Sequence, residues 1–100
     1  MRHRARSVGL THWKEVDQGW AGYTERTGQT FVIDPVSRFL WDCIESADGG
    51  LTPTELCAHL RSVAEHTPEQ ELSERVESAI GILKRAELIE TAPLEPLRTD

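Results

Sequence analysis

This sequence has little that would suit a membrane, a metal or a reaction. No apolar run approaches the roughly 18 residues a spanning helix needs. The basic start, Met1-Arg-His-Arg-Ala-Arg, is not followed by the apolar stretch of a secretory signal, so the expected compartment is the cytoplasm. Cysteines are few: Cys43 and Cys57 fall on two different predicted helices without metal-type spacing, and reduced, buried thiols are expected. His3, His12, His59 and His66 are scattered, with no i, i+4 pair and no cysteine in a ligand pattern, so no metal and no cofactor are expected. There is no Gly-rich phosphate loop and no nucleophile–base constellation, which argues against an enzyme. Nor is there an internal repeat.

Cations are scarce as well. The formal net charge is -6, and Arg2, Arg4 and Arg6 contribute +3, so residues 7–100 carry -9. A body that acidic repels phosphate backbones, which counts against a nucleic-acid partner. One hundred residues make one domain with one modest core.

What is present is a clear order of elements. Residues 1–9 read as a flexible basic arm and 91–100, with Pro93 and Pro96, as a flexible tail around a domain spanning 10–90. Leu10 to Val16 alternates in part and reads as a first strand, followed by a turn at Asp17-Gln18-Gly19. Trp20 to Arg26 is the second strand, and Thr27-Gly28 closes a hairpin with Gly28 free to take positive φ. Gln29 to Ile33, rich in β-branched and aromatic residues, is the third strand. It turns at Asp34-Pro35 into a helix, with Asp34 as N-cap and Pro35 at the first helical position.

That first helix, Pro35 to about Ser46, places Val36, Phe39, Leu40, Cys43 and Ile44 on one apolar face. Ala47-Asp48-Gly49-Gly50 stops it. Thr52, Pro53 and Glu55 form a capping box for a second helix with Leu56, Cys57, Leu60 and Val63 apolar. Thr67-Pro68-Glu69-Gln70 repeats the start signal for a third helix to about Ala86, whose face carries Leu72, Val76, Ala79, Ile80 and Leu83. Leu88-Ile89 is expected to fold back on the core. The fold class is therefore α+β, winged-helix-like: a three-stranded antiparallel sheet followed by a three-helix bundle.

Several stretches resemble the PqqD-like family, the RiPP recognition elements, over roughly Thr11 to Thr91. The residues that carry the likeness begin with Thr30-Phe-Val-Ile-Asp-Pro and Phe39-Leu-Trp-Asp-Cys-Ile. Gly49-Gly-Leu-Thr-Pro-Thr-Glu-Leu is similar to the family's step into its second helix. Ile82-Leu-Lys-Arg-Ala-Glu-Leu-Ile is similar to its closing element, with Glu87 standing where Gly is common. The Asp34-Pro35 junction looks most like a sub-group of peptide chaperones found beside kinase-related proteins.

The resemblance implies a non-catalytic module. It would bind the leader region of a ribosomally made precursor peptide and present it to a modifying enzyme encoded nearby. The leader would lie as an extra antiparallel strand on the edge of the third strand, in a groove against the third helix. On this sequence the strand is Gln29, Thr30, Phe31, Val32 and Ile33, with no Pro or charge to block its edge. From the third helix, Ile82 lies off the core face near Arg75 and Ala79. It would form a groove wall, with Ala79 as floor and Arg75 to pair with an acidic leader residue; the alternative is that Ile82 packs under the strand as core.

Trp41 falls off the apolar face, and is expected either to cover the sheet or the arm or to join a partner surface. Trp13, Trp20 and Tyr23 read as sheet core or cross-strand pairs. The alternative function is a winged-helix DNA-binding regulator, with the third helix in the major groove and the arginine arm on the backbone.

Overall fold

The computed structural model describes residues 2–6, 11–47 and 49–92. Met1 and residues 7–9 of the arm, Leu10, Asp48 and tail residues 93–100 lie outside the described residues. In chain order the elements are β1 (Arg2–Ala5), β2 (Thr11–Val16), β3 (Gly19–Thr24), β4 (Gln29–Ile33), α1 (Pro35–Ser46), α2 (Pro53–Val63), α3 (Glu69–Arg85) and β5 (Ile89–Ala92). The α+β order expected from the sequence is the one observed: an antiparallel sheet β2-β3-β4 followed by three helices. Among the described residues no helix is long and apolar enough to cross a membrane.

The two hairpins set the register. Val16 pairs with Gly19 across a two-residue turn in which Gln18 takes φ 63. Thr24 pairs with Gln29 across the second turn, where Gly28 takes φ 70 and its N–H donates to the Thr24 carbonyl at 2.8 Å. Such a φ favours glycine because it carries no Cβ.

The helix ends follow their local sequence unevenly. Thr52 and Glu55 form the reciprocal cap of α2, with Glu55 N–H donating to Thr52 Oγ1 at 3.2 Å and Thr52 N–H donating to Glu55 Oε1 at 2.8 Å. Asp34 occupies the N-cap of α1 without a side-chain cap bond. Thr67 does not cap α3: the helix begins one residue later than the repeated motif implies, with Pro68 at the N-cap position and no side-chain bond. The C-terminus of α3 closes as a Schellman motif. Leu88 N–H donates to the Leu83 carbonyl at 3.0 Å and Glu87 N–H to the Lys84 carbonyl at 2.9 Å. Glu87 holds φ 61 there, a left-handed position that favours glycine.

The core gathers Leu40, Trp41 and Ile44 of α1, Leu56 and Leu60 of α2, and Leu72, Val76, Ala79 and Leu83 of α3, closed by Leu88 and Ile89. Trp41 is 2% exposed, a core residue and no part of an open surface. Its burial follows from the neighbours of α1, which packs on α3, α2, β1 and β3 and so buries more than one stripe. Truncating a tryptophan so enclosed costs about 3–5 kcal/mol.

The arm and the start of the tail differ from the sequence reading. Arg2–Ala5 and Ile89–Ala92 pair as an antiparallel ribbon, from Arg2 opposite Ala92 to Ala5 opposite Ile89. His3 also exchanges backbone hydrogen bonds with Leu51, at 2.8 and 2.9 Å. Arg4 Nε pairs with Glu90 at 2.5 Å and Arg2 with Glu55 at 3.5 Å. Charged alternation read as a solvated arm is thus one face of a short strand whose partner lies some 85 residues away, a pairing that local sequence does not encode.

Candidate functional site

Among the described residues β4 is paired on one side only, by β3. In an antiparallel ladder, opposed residues alternate between pairs that exchange hydrogen bonds and pairs that do not. A two-residue turn closes on an exchanging pair, Val16–Gly19, so β3 directs the backbone groups of Gly19, Ala21 and Tyr23 toward β2. Those of Trp20, Gly22 and Thr24 then point to Ile33, Phe31 and Gln29. By the same alternation the N–H and C=O groups of Thr30 and Val32 point away from β3, onto the open edge.

Side chains alternate as well. Phe31 and Ile33 turn inward, Ile33 to 3% exposure, while Val32 lies on the outer face at 67%. The outer edge strand β2 carries His12, Lys14 and Glu15, charges and polar groups of the kind that discourage strand addition. β4 has none between Gln29 and Ile33.

Directly beside the edge is a groove of about 330 Å³ between β4 and the end of α3. Phe31, Ile33, Ile82 and Ala86 give it apolar walls, and Asp34 and Arg85 complete its rim. Gln29 Nε2 donates to the Arg85 carbonyl at 3.4 Å, tying the start of β4 to the end of α3. The groove's inner wall is held from behind. Phe31 meets Trp13 edge to face, with ring centroids 5.5 Å apart and an interplanar angle of 77°. The Arg38 guanidinium lies 4.1 Å from the Trp13 ring and 4.5 Å from the Trp20 ring, and its Nε donates to Asp42 at 3.2 Å. Gly22 lies beneath this cluster: a Cβ there would come within 2.5 Å of the Phe31 ring.

Of the residues singled out from sequence, Gln29, Phe31, Val32, Ile33 and Ile82 come together at this groove. Thr30 shares the open edge through its backbone, but its side chain lines a hollow on the outer sheet face with Lys14, Ala21 and Tyr23. Ala79 is core, 2% exposed, and does not line the groove. Arg75 is elsewhere too. It pairs with Glu71 at 2.7 Å and lines a separate hollow with Val36, Phe39 and Leu60. Seven residues before Ile82 it shares that helix face, but it sits about 10 Å further along the axis, and β4 spans only the last turns of α3. Arg85 and Asp34 were missed. Arg85, three residues after Ile82, falls on the same helix face, and that spacing was the available signal.

Among the described residues no cluster of three or more His, Cys, Asp or Glu is placed to hold a metal ion. Cys43 and Cys57 are free thiols. Burial, then the neighbouring Asp42 carboxylate, pushes the Cys43 thiol above its ordinary range, which suppresses the nucleophilic thiolate.

Among family models none matches this sequence, and among curated proteins none does. The fold does have a likeness among solved structures. This chain resembles TbiB1. The structure of TbiB1 in complex with the TbiA(beta) leader peptide matches it with a TM-score of 0.62 at 18% identity, covering 89% of this chain and 96% of that one. A likeness at that identity establishes the fold.

Two of the three arginines of the arm are engaged within the domain. Arg2 and Arg4 are held by Glu55 and Glu90. The exposed positions of α3 mix Glu69, Glu74 and Glu77 with Arg75, Lys84 and Arg85, a poor surface for a phosphate backbone.

Proposed function

We propose that this domain is a non-catalytic peptide-binding module acting in the cytoplasm. It captures the leader of a ribosomally made precursor peptide as a strand added to β4, and presents the remainder to a modifying enzyme encoded nearby. The observation that carries this reading is the coincidence of an open, uncharged strand edge with an apolar groove directly beside it. The leader peptide in the complex of TbiB1, a protein of the same fold, supports it.

The division of labour follows from the geometry. The backbone groups of Thr30 and Val32 hydrogen-bond any extended chain, which gives affinity with little sequence demand. Phe31, Ile33 and Ile82 accept alternate side chains of the added strand, which gives selectivity. Holding the leader raises the effective concentration of the attached core peptide at the enzyme, so the module accelerates a reaction it does not perform.

Fluorescence anisotropy tests this directly. Labelled short peptides encoded beside the gene are titrated with the domain, with generic duplex DNA in parallel. Saturable binding of a leader without DNA binding is the expected result. DNA binding that collapses with salt, and no peptide binding, would replace this reading with the regulator.

A further inference from the structure

The groove beside β4 is lined by opposite charges. Asp34 stands where β4 runs into α1; at the other end the Arg85 carbonyl lies beside Gln29, and the Arg85 side chain extends from there along the last turn of α3, with its guanidinium near Gly81. Asp34 makes no side-chain cap bond. Among the described residues neither Asp34 nor Arg85 has an ion-pair partner, whereas Arg2, Arg4, Arg38, Arg61 and Arg75 are each matched to a carboxylate; Arg6, Lys14 and Lys84 also lack one but do not line this groove. The groove is thus lined by one unmatched anion, where β4 meets α1, and one unmatched cation, carried by the last turn of α3.

An added strand has a direction. Antiparallel pairing is the more stable per residue and the commoner. Laid antiparallel on β4, a peptide has its N-terminal end beside Asp34 and its C-terminal end beside Gln29 and Arg85. Side chains directly opposite one another share a face of the sheet. Peptide residues opposite Ile33, Phe31 and Gln29 therefore turn toward the groove. Those opposite Val32 and Thr30 lie on the outer face, where Val32 stands 67% exposed next to its cross-strand partner Ala21.

We infer that the groove selects an order of charge, in addition to an apolar anchor. This rests on the strand-addition reading above. The ligand class is an extended segment that reads, from N to C, cation, spacer, apolar residue, spacer, carboxylate. The cation sits opposite Ile33 beside Asp34, the apolar side chain opposite Phe31 against Ile82, and the carboxylate opposite Gln29 beside Arg85. Both spacers lie on the outer face, where β-branched residues extend the row begun by Val32. Arg85 is the specificity-determining cation, and the orientation of the bound peptide follows from it.

The test is a titration of the ¹⁵N-labelled domain with three Gly-Ser-flanked peptides: Lys-Thr-Leu-Thr-Asp, the inverted Asp-Thr-Leu-Thr-Lys, and the neutral Ser-Thr-Leu-Thr-Ser. Amide shifts of Thr30 and Val32 report pairing at the edge. The Lys-first peptide is expected to bind roughly tenfold more tightly than the inverted one at low salt, since two exposed ion pairs are exchanged for two repulsions. The neutral peptide should fall between them, and about 0.5 M salt should compress the range. In Arg85→Glu the preference for a C-terminal Asp should reverse in favour of Lys, with Arg85→Gln intermediate, and the same spectra show that both variants are folded. Equal affinities for all three peptides, with Thr30 and Val32 still shifting, would overturn the charge order and leave strand addition standing. Tighter binding of the inverted peptide would overturn the direction. No shift at Thr30 or Val32 with any peptide would overturn both the inference and the reading beneath it.

Discussion

Proline substitution separates the two sides of β4. At Val32 the register sends the N–H to the open edge, so Val32→Pro breaks no bond to β3. The Val32 side chain is 67% exposed, so little burial is lost. The backbone restriction also lowers the entropy of the unfolded chain. The expected change in stability is about 1 kcal/mol or less, a Tm shift of no more than about 8 °C for a domain of this size. At Phe31 the N–H faces Gly22, and Phe31→Pro leaves the Gly22 carbonyl unpaired, at about 1–3 kcal/mol. It also removes the edge-to-face contact with Trp13, worth about 0.5–1.5 kcal/mol. Together these reach about 2–4 kcal/mol, a large fraction of the 5–15 kcal/mol or so that holds a domain folded. Thermal melts followed by circular dichroism should therefore rank Phe31→Pro far below Val32→Pro. Leader affinity should fall even in the well-folded variant: Val32→Pro removes one ladder donor and puts a ring where the added strand must lie, for a loss of tenfold or more. If Val32→Pro melts as low as Phe31→Pro, the assigned edge is wrong. If it stays folded and binds the leader undiminished, strand addition at Val32 is refuted.

Three further outcomes follow from single residues. Ile82→Glu puts a carboxylate on the groove wall and should weaken leader binding by tenfold or more in anisotropy while the domain stays folded; global unfolding would show that Ile82 is a core residue first. Burial, then Lys84, holds the His3 pKa below its ordinary value, so neutral His3 stabilises the fold above the unfolded pKa of about 6.5, and that contribution is lost as pH falls from there through the lower folded pKa. Between about pH 7 and about pH 5.5 the Tm should fall more in the parent than in His3→Gln, and parallel curves would sink the assignment. Glu87→Gly relieves a side chain held at φ 61 and should raise the Tm by a few degrees, with a fall pointing to a contact of Glu87 that outweighs its backbone conformation.

The parts of the fold legible in sequence are those written in local chemistry. Asp34-Pro35 and Thr52-Pro53 mark helix starts because proline fixes φ where a helix has an N–H to spare, and α1 and α2 begin where those signals put them. The same dipeptide misled at Thr67-Pro68, where the helix starts one residue later. Ile82 was legible by its angle on the helix. Arg75 was misplaced because angle alone ignores distance along the axis, and the groove is only as long as β4. Trp41, expected either to cover the sheet or the arm or to join a partner surface, is buried: a hydrophobic stripe assumes one partner surface, and α1 packs on several, β1 and β3 among them. The β1–β5 ribbon was invisible because a four-residue strand of Arg-His-Arg-Ala carries no signal until its distant partner is known.

That ribbon bears on the groove. One wall of the groove is the last turn of α3, and a helix end left to itself frays. Here the end is fixed three ways. Gln29 bonds the Arg85 carbonyl from the β4 side. The Schellman closure returns Leu88 to the core at 0% exposure. β5 then leaves at once to pair with β1, and β1 is anchored in turn by the backbone exchange between His3 and Leu51 at the entry to α2. The close fit at that anchor is seen at Gly50, φ 88, where a Cβ would come within 2.4 Å of the His3 carbonyl oxygen. Under the proposed function the groove accepts a flexible peptide and gains from walls already in place, since every degree of freedom frozen beforehand is one that binding need not freeze. The N-terminal strand is not among the described residues lining the groove, and it bears on the proposed site through β5, which continues from the end of α3 where Ile82 and Arg85 line the groove beside β4.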